Sequence, residues 1–310
     1  MRVLRASGAH ADGAGVSRAA GSRRGGILRG FGVAAAAIAL VACGGGDAPA
    51  SQPSSDVETV RVVSLSPAIT RTMIDLGAGD LLVGRTPYCR GAGSDVPAVG
   101  SLLEFDPEAM LAVDPDLVLV QPGAAGIDPD LSALALREAW TVHSWRIDGL
   151  DDLERLLEEL PAALAGAPGA DTIARRAAER RADLAAVLTP LSGAASPVMV
   201  LFAMEPPMAF GQGTFVGDML ERCGVENAVP SRGYPELSIE DLASRRPARI
   251  VLLRDAASEA PQARLATLPL PTPPARRHVI EHPDALTPGS AWIEAAAKLR
   301  ATIASEESGR

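Results

Sequence analysis

The sequence predicts an α/β fold of two lobes joined by one long helix. Three observations carry that prediction. Short aliphatic or β-branched runs alternate with helical segments that have recognisable caps, the order of a sheet wrapped by helices. That order occurs twice: "DPEAMLAVDPDLVLV" at 106–120 is echoed by "SIEDLASRRPARIVLL" at 238–253, with Glu108 and Glu240 each seven places before a proline, Pro115 and Pro247. Between the two halves, the stretch from Ala170 to Thr189 contains neither glycine nor proline and is charged around most of its circumference.

The first half begins at about residue 57 with "VETVRVVSLSP", whose β-branched run suits a buried strand. A helix follows with Ser66 as cap, Pro67 at its first position, Ile69, Met73 and Leu76 on one face and Gly77 as terminator. "LLVG" reads as a second strand. Asp106 and Pro107 open another helix, Pro115 closes it, and "DLVLV" is the next strand. Residues 57–167 form this lobe, with a parallel sheet expected. Residues 168–191 hold the connecting helix, about 30 Å long at 1.5 Å per residue, with a thin apolar stripe of Ile173, Leu184, Val187 and Leu188. The second lobe, 192–310, repeats the order. "SPVMVLFAM" is a strand, Thr214 caps a helix that Gly224 ends, Ser238 and Asp241 form a capping box, and "ARIVLL" is a strand.

The chain of 310 residues is 47% apolar and only 3% aromatic, which suits aliphatic, alanine-rich cores. Ahead of the first lobe, Arg23, Arg24 and Arg29 precede "GFGVAAAAIALVAC", too short to span a bilayer and placed as a secretory signal would be. Its end, Leu40-Val41-Ala42-Cys43, resembles a bacterial lipobox, which implies cleavage after residue 42 and a lipid on Cys43. The other reading is a buried helix with an incidental cysteine. Residues 43–56, "CGGGDAPASQPSSD", have the composition of a flexible tether. "SRRGGIL" hints at a twin-arginine signal but lacks the usual phenylalanine, so the export route stays open.

Removing residues 1–42 takes away six arginines and one aspartate and leaves a formal charge of about −14 in place of −9. So acidic a chain is a poor partner for nucleic acid. Beyond Cys43, only Cys89 and Cys223 remain. They are one pair at most, in different halves, and make no disulfide framework.

From about residue 57 to 305 the chain resembles the substrate-binding proteins of bacterial ABC importers, in the long-helix-hinged group that binds cobalamin, ferric siderophores or haem. "RVVSLSPAITRTMIDLGAGDLLVGRTPYC", "PAVG", "DPEAMLAVDPDLVLV", "GTFVGDMLERCGVEN", "GYPELSIEDLASRRPARIVLL" and "LTPGSAWIEAAAKLRATI" carry the resemblance in the family's order. It implies two Rossmann-like lobes with a ligand cleft between them. It also implies a monomeric, lipid-anchored receptor with no intrinsic cofactor, carrying a cobalt or iron chelate. A glutamate from each lobe, Glu108 and Glu240 by position, would dock onto arginines of a permease dimer. Elementary physics offers a second reading of both: acidic side chains in a first helical turn are stabilised by the helix dipole, by about 0.3–1 kcal/mol, with no partner at all.

By the resemblance, and because ligands of doubly wound sheets sit at the carboxyl ends of strands, the cleft candidates are Ser66, Pro67, Tyr88, Cys89, Leu102 and Gln121 from the first lobe. The second lobe offers Met204, Glu205, Pro206, Gly211 and Tyr234. Tyr88 and Tyr234 are the chain's two tyrosines, suited to stacking on a flat chelate or to core packing. Leu102 and Gln121 stand where cobalamin binders usually carry tryptophan, so the chelate stays open. Arg90, Arg232 and Arg254 would clamp an anionic ferric chelate or be merely solvated.

Other constellations point away from catalysis. "GQGTFVG" at 211–217 lacks the third glycine of a nucleotide loop, and no strand is expected immediately before it, so it reads as a turn and helix cap. His278 and His282 are four apart but on a strand and loop, and His143 beside Trp140 and Trp145 reads as packed, so no metal site is assigned. No G-x-S-x-G occurs. An envelope enzyme on the same scaffold would need an acid, base or cofactor loop that the sequence does not display, and a zinc or manganese receptor would need more than its four histidines.

Overall fold

A computed structural model describes residues 59–101, 104–192, 196–255 and 259–305. The expected signal (1–42), Cys43, the tether (43–56) and the cleft candidate Leu102 lie outside the described residues.

The first sheet is built from β1 (Val62–Ser64), β2 (Leu82–Gly84), β3 (Leu117–Val120) and β4 (Thr141–Ser144). All its pairings are parallel, in the order β2-β1-β3-β4. The helices that return the chain are α1 (Pro67–Asp75), α2 (Pro107–Val113) and α3 (Pro129–Glu138). Each carries proline in its first turn and a capping side chain before it: Ser66 Oγ accepts from Ile69 N, Asp106 from Glu108 and Ala109 N, and Asp128 from Asp130 N. Proline has no N–H to leave unsatisfied there, and the cap satisfies a donor that follows. Helix α2 ends on Asp114 in the left-handed conformation (φ 38°), one residue before the Pro115 expected to close it.

After α4 (Leu150–Ala163) comes α5 (Ala170–Val187), the expected long helix, whose 18 residues span about 27 Å. It buries Ile173, Ala177, Leu184 and Val187, with Leu188 just beyond, which is the stripe read from the sequence plus one alanine.

The second sheet contains β5 (Val198–Met204), β6 (Pro207–Ala209), β7 (Arg249–Arg254) and β8 (Arg277–Glu281) in the order β6-β5-β7-β8. Around it lie α6 (Phe215–Arg222), α7 (Ile239–Ser244), α8 (Glu259–Thr267) and α9 (Trp292–Ala304). Strands β5, β7 and β8 pair in parallel, but β6 is antiparallel to β5. The sequence reading missed that hairpin. It also corrects the expectation of no strand before "GQGTFVG", because β6 ends two residues ahead of Gly211. Pro206 and Pro207 conceal it: proline marks loops, yet Pro207 can open an edge strand because an edge residue needs no donor. Thr214 and Ser238 cap α6 and α7 as expected, the latter in a reciprocal box with Asp241, and Gly224 (φ 71°) follows α6.

Alternating residues of each sheet enter different cores. Val62, Leu117 and Leu119 share one cluster with Val198, Val200, Val251 and Leu253 of the other sheet, together with the apolar stripe of α5. Val63, Val118 and Val120 face a second cluster, and Met199, Leu201, Ile250 and Leu252 a third. Both faces of the central strands β1, β3, β5 and β7 are therefore buried, and the lobes share the middle core.

Polar contacts reinforce the seam. Gly289 lies so close to α1 that a Cβ there would come 2.9 Å from Ala68 O. This brings Ser290 N to Thr72 Oγ1 at 3.1 Å and Ser290 Oγ to Asp75 at 2.6 Å. On α5, Arg180 holds Asp75 through two bonds (2.8 and 2.7 Å) and reaches Glu294 of α9 at 3.3 Å. One guanidinium thus joins helices from both lobes.

Candidate functional site

In a parallel βαβ unit the helix runs back along its strands, so helix N-termini and strand carboxyl ends lie on one edge. That edge carries the site. A cavity of ≈ 320 Å³ opens there between the lobes. From the first lobe it is lined by Pro67 and Arg71 of α1 and by Pro87, Tyr88 and Arg90 after β2; from the second, by Asp255 after β7 and by Asp284 and Thr287 after β8. Two ion pairs cross it. Arg71 Nε lies 2.8 Å from Asp284 Oδ1, with the carboxylate 8% exposed, and Arg90 Nη1 lies 2.7 Å from Asp255 Oδ2 in a more open position. Tyr88 is 72% exposed, an aromatic ring presented to solvent in a chain with few of them.

Of the residues expected at the cleft, Pro67 and Tyr88 line this cavity. Ser66 is fully buried, caps α1 and donates to Gln121 Oε1 at 2.8 Å. Gln121 itself borders a separate cavity of ≈ 30 Å³ at the end of β3. Cys89 is buried and its sulfur receives the Thr70 hydroxyl at 2.9 Å. Met204 is also buried, whereas Glu205 and Pro206 are exposed in the β5–β6 turn, Glu205 paired with Arg264. Gly211 is a close-approach position: a Cβ there would come 2.0 Å from Ser231 O. Tyr234 is half exposed and packs edge-on against Phe202 and Phe210, both at 5.8 Å. Burial pushes its phenol above the usual range, helped by Asp148 and Asp218.

The sequence reading passed over Arg71, Asp255, Asp284 and Thr287. A signal for Arg71 was present, since it stands one helical turn after Pro67 and so shares its face. Asp255 follows β7 directly, at a carboxyl end where the strand rule points. Arg254, weighed as an anion clamp, is only 11% exposed and lies 3.6 Å from Glu281. Cys89 and Cys223 are both free, the thiol of Cys223 pushed up by burial. His143 stacks on Trp145 at 5.7 Å, and its pKa is lowered by burial, with Glu159 opposing. Among the described residues no cluster of three potential ligands could hold a metal ion.

Glu108 and Glu240 both occupy the second position of their helices, α2 and α7. Each helix leads into the third strand of its sheet, β3 or β7, so the two positions are topologically equivalent. Both residues are exposed, and neither forms an ion pair with a described residue.

Residues 62–264 match the model of a family described as periplasmic binding protein. The cobalamin-binding protein of Halobacterium salinarum is 29% identical over 224 residues, 66% of this chain and 57% of that protein. The vitamin B12-binding protein of Photorhabdus laumondii is 26% identical over 204 residues, 62% of this chain and 70% of that one. The chain thus spans 57% of the length of the Halobacterium relative. Among solved structures, the periplasmic vitamin B12 binding protein of Vibrio cholerae superposes with a TM-score of 0.59 at 19% identity, covering 81% of this chain and 98% of that one. A periplasmic heme-binding protein in complex with two hemes gives a TM-score of 0.64 at 22% identity, covering 80% and 98%. At such identities these structures establish the fold. With two α/β lobes, a connecting helix and a match over residues 62–264, the chain belongs to the periplasmic binding protein family.

Proposed function

We propose that this protein is the lipid-anchored substrate-binding component of an ABC importer, capturing a metal chelate in the cleft and delivering it to a membrane permease. A cobalamin-like corrinoid is favoured over a ferric siderophore or haem, because the two relatives named by sequence are cobalamin binders. In this reading residues 57–167 and 192–310 are the lobes, 168–191 the link, and Pro67, Tyr88 and their neighbours the ligand contacts. Ser66, Cys89, Gln121, Met204 and Gly211 shape the walls, and Glu205, Pro206 and Tyr234 contribute from the second lobe. Glu108 and Glu240 dock the lobes onto a permease dimer, and a lipid on Cys43 holds the monomer at the membrane.

The observation that carries the proposal is the interlobe cavity at the strand carboxyl ends, walled by both lobes and displaying an exposed tyrosine. It is a place for cargo, and no nucleophile held by a general base is assembled among the described lining residues. Calorimetric titration of the exported form with cyanocobalamin, haemin and ferric siderophores tests it. Saturable one-to-one binding of one chelate is the expected result; no binding of any of them contradicts it.

A further inference from the structure

The described lining of the cleft carries four charged groups, two guanidinium and two carboxylate, and they are matched in pairs across the two lobes: Arg71 with Asp284, Arg90 with Asp255. We infer that Asp255 and Asp284 are specificity-determining residues that hold the cleft neutral and thereby select an uncharged chelate rimmed with amides or hydroxyls over an anionic one. The inference rests on the proposed role of this cleft as a chelate site and sharpens the choice among chelates.

An anion buried in a cleft needs donors that are not already neutralised, because its lost hydration is otherwise uncompensated. Here each guanidinium already faces a carboxylate at hydrogen-bond distance. An entering carboxylate would have to share the arginine with a fixed negative charge or displace it, and like charges placed together cost affinity heavily. A neutral carbonyl meets no such opposition. A guanidinium has five N–H donors, and Arg71 commits only Nε to Asp284, so further donors remain for amide oxygens without disturbing the pairs. The Tyr88 and Thr287 hydroxyls add neutral partners, and Pro67 and Pro87 add apolar surface.

The two pairs differ in what else they do. Asp284 is buried at the seam, where its backbone N also donates to His282 Nδ1 at 3.2 Å, so changing it perturbs packing. Asp255 sits at the mouth, 31% exposed, and is the position to change. Asp255→Asn keeps the shape and removes the charge, leaving Arg90 open to an anion. Arg90→Gln is the mirror variant and leaves Asp255 unopposed.

The test is calorimetric titration of the full exported chain and of both variants, at low salt, with cyanocobalamin as the neutral probe and haemin and ferric citrate as anionic ones. Thermal melts establish that each variant is folded. The expected result is that the parent protein prefers cyanocobalamin, that Asp255→Asn raises the affinity for both anions about tenfold relative to that for cyanocobalamin, and that Arg90→Gln lowers the anion affinities further. A parent protein that binds an anionic probe at least as tightly as the neutral one overturns the inference. So does an Asp255→Asn protein with unchanged anion affinity. If the parent takes none of the three probes, the chelate reading fails, while a gain of anion binding in Asp255→Asn still supports charge exclusion and its absence refutes it.

Discussion

Arg180 and Asp75 form a two-pronged ion pair, Nε to Oδ2 at 2.8 Å and Nη2 to Oδ1 at 2.7 Å, that ties the connecting helix to α1. Because α1 also supplies Pro67 and Arg71 to the cleft, this pair sets one wall of the site from its far end. The Asp75 side chain is 10% exposed and would keep only the Ser290 hydroxyl if Arg180 were lost. Arg180→Leu is expected to destabilise the protein by about 2–3 kcal/mol, somewhat less than breaking a fully buried pair. Chemical denaturation of Arg180→Leu, Asp75→Leu and the double variant checks this. The double variant should cost clearly less than the sum of the singles, since the two residues act as a unit.

Asp218 of α6 accepts a hydrogen bond from Leu150 N at 3.3 Å, capping α4 across the seam at a helix whose own cap, Gly149, has no side chain. Burial raises its pKa above the usual carboxylate range, although the Leu150 N–H and Arg222 pull it down. The folded state therefore binds the proton more tightly than the unfolded one. Its contribution to stability is greatest below the unfolded carboxyl value of about 3.9 and falls as pH rises through the raised folded value. Asp218→Asn keeps an acceptor for Leu150 N and removes the charge. Its melting temperature at pH 7 should exceed that of the parent by about 1–3 °C, and the difference should vanish on approaching pH 4.

Gly211 was expected to touch ligand; its surroundings give it a packing role that acts whether or not ligand is present. Gly211 N donates to Gly233 O at 2.8 Å, and the missing Cβ leaves room for the Ser231 carbonyl. Gly211→Ala forces two backbone segments apart and is expected to cost about 1–3 kcal/mol. Gly224→Ala supplies the contrast: its φ of 71° strains any side chain, but nothing lies within 4 Å. Denaturation midpoints should place the Gly211 variant below the Gly224 variant.

Cys43→Ser removes the sulfur that the lipobox reading requires. The variant is expected to leave the membrane pellet for the soluble envelope fraction and to keep its chelate affinity. Fractionation and immunoblotting check this, and equal membrane retention would contradict the anchor.

Much of the scaffold was legible because the helix ends are written locally. Ser66-Pro67, Asp106-Pro107, Thr214 and Ser238 with Asp241 each declare a helix start within a few residues, and each is observed as a cap. What was not legible depends on distance along the chain. The β5–β6 hairpin turns on Glu205-Pro206, where proline suggests a loop and the pairing partner decides otherwise. Arg71 and Asp284 are 213 positions apart and meet where the second lobe packs on α1, with Gly289 in close approach to that helix. The candidates Ser66, Cys89 and Met204 follow the strand-end rule, but that rule places a residue at an edge without saying which way its side chain points. All three are buried.

In the proposed function the equivalent exposed carboxylates of the two halves, Glu108 and Glu240, would serve as one handle for a permease while the cleft between them carries the cargo. Radiolabelled cyanocobalamin uptake by cells expressing the Glu108→Ala, Glu240→Ala double variant, set beside titration of the purified variant, separates the two roles. Uptake is expected to fall to background with ligand affinity unchanged. Parent-level uptake, or lost uptake explained by lost binding, would contradict it.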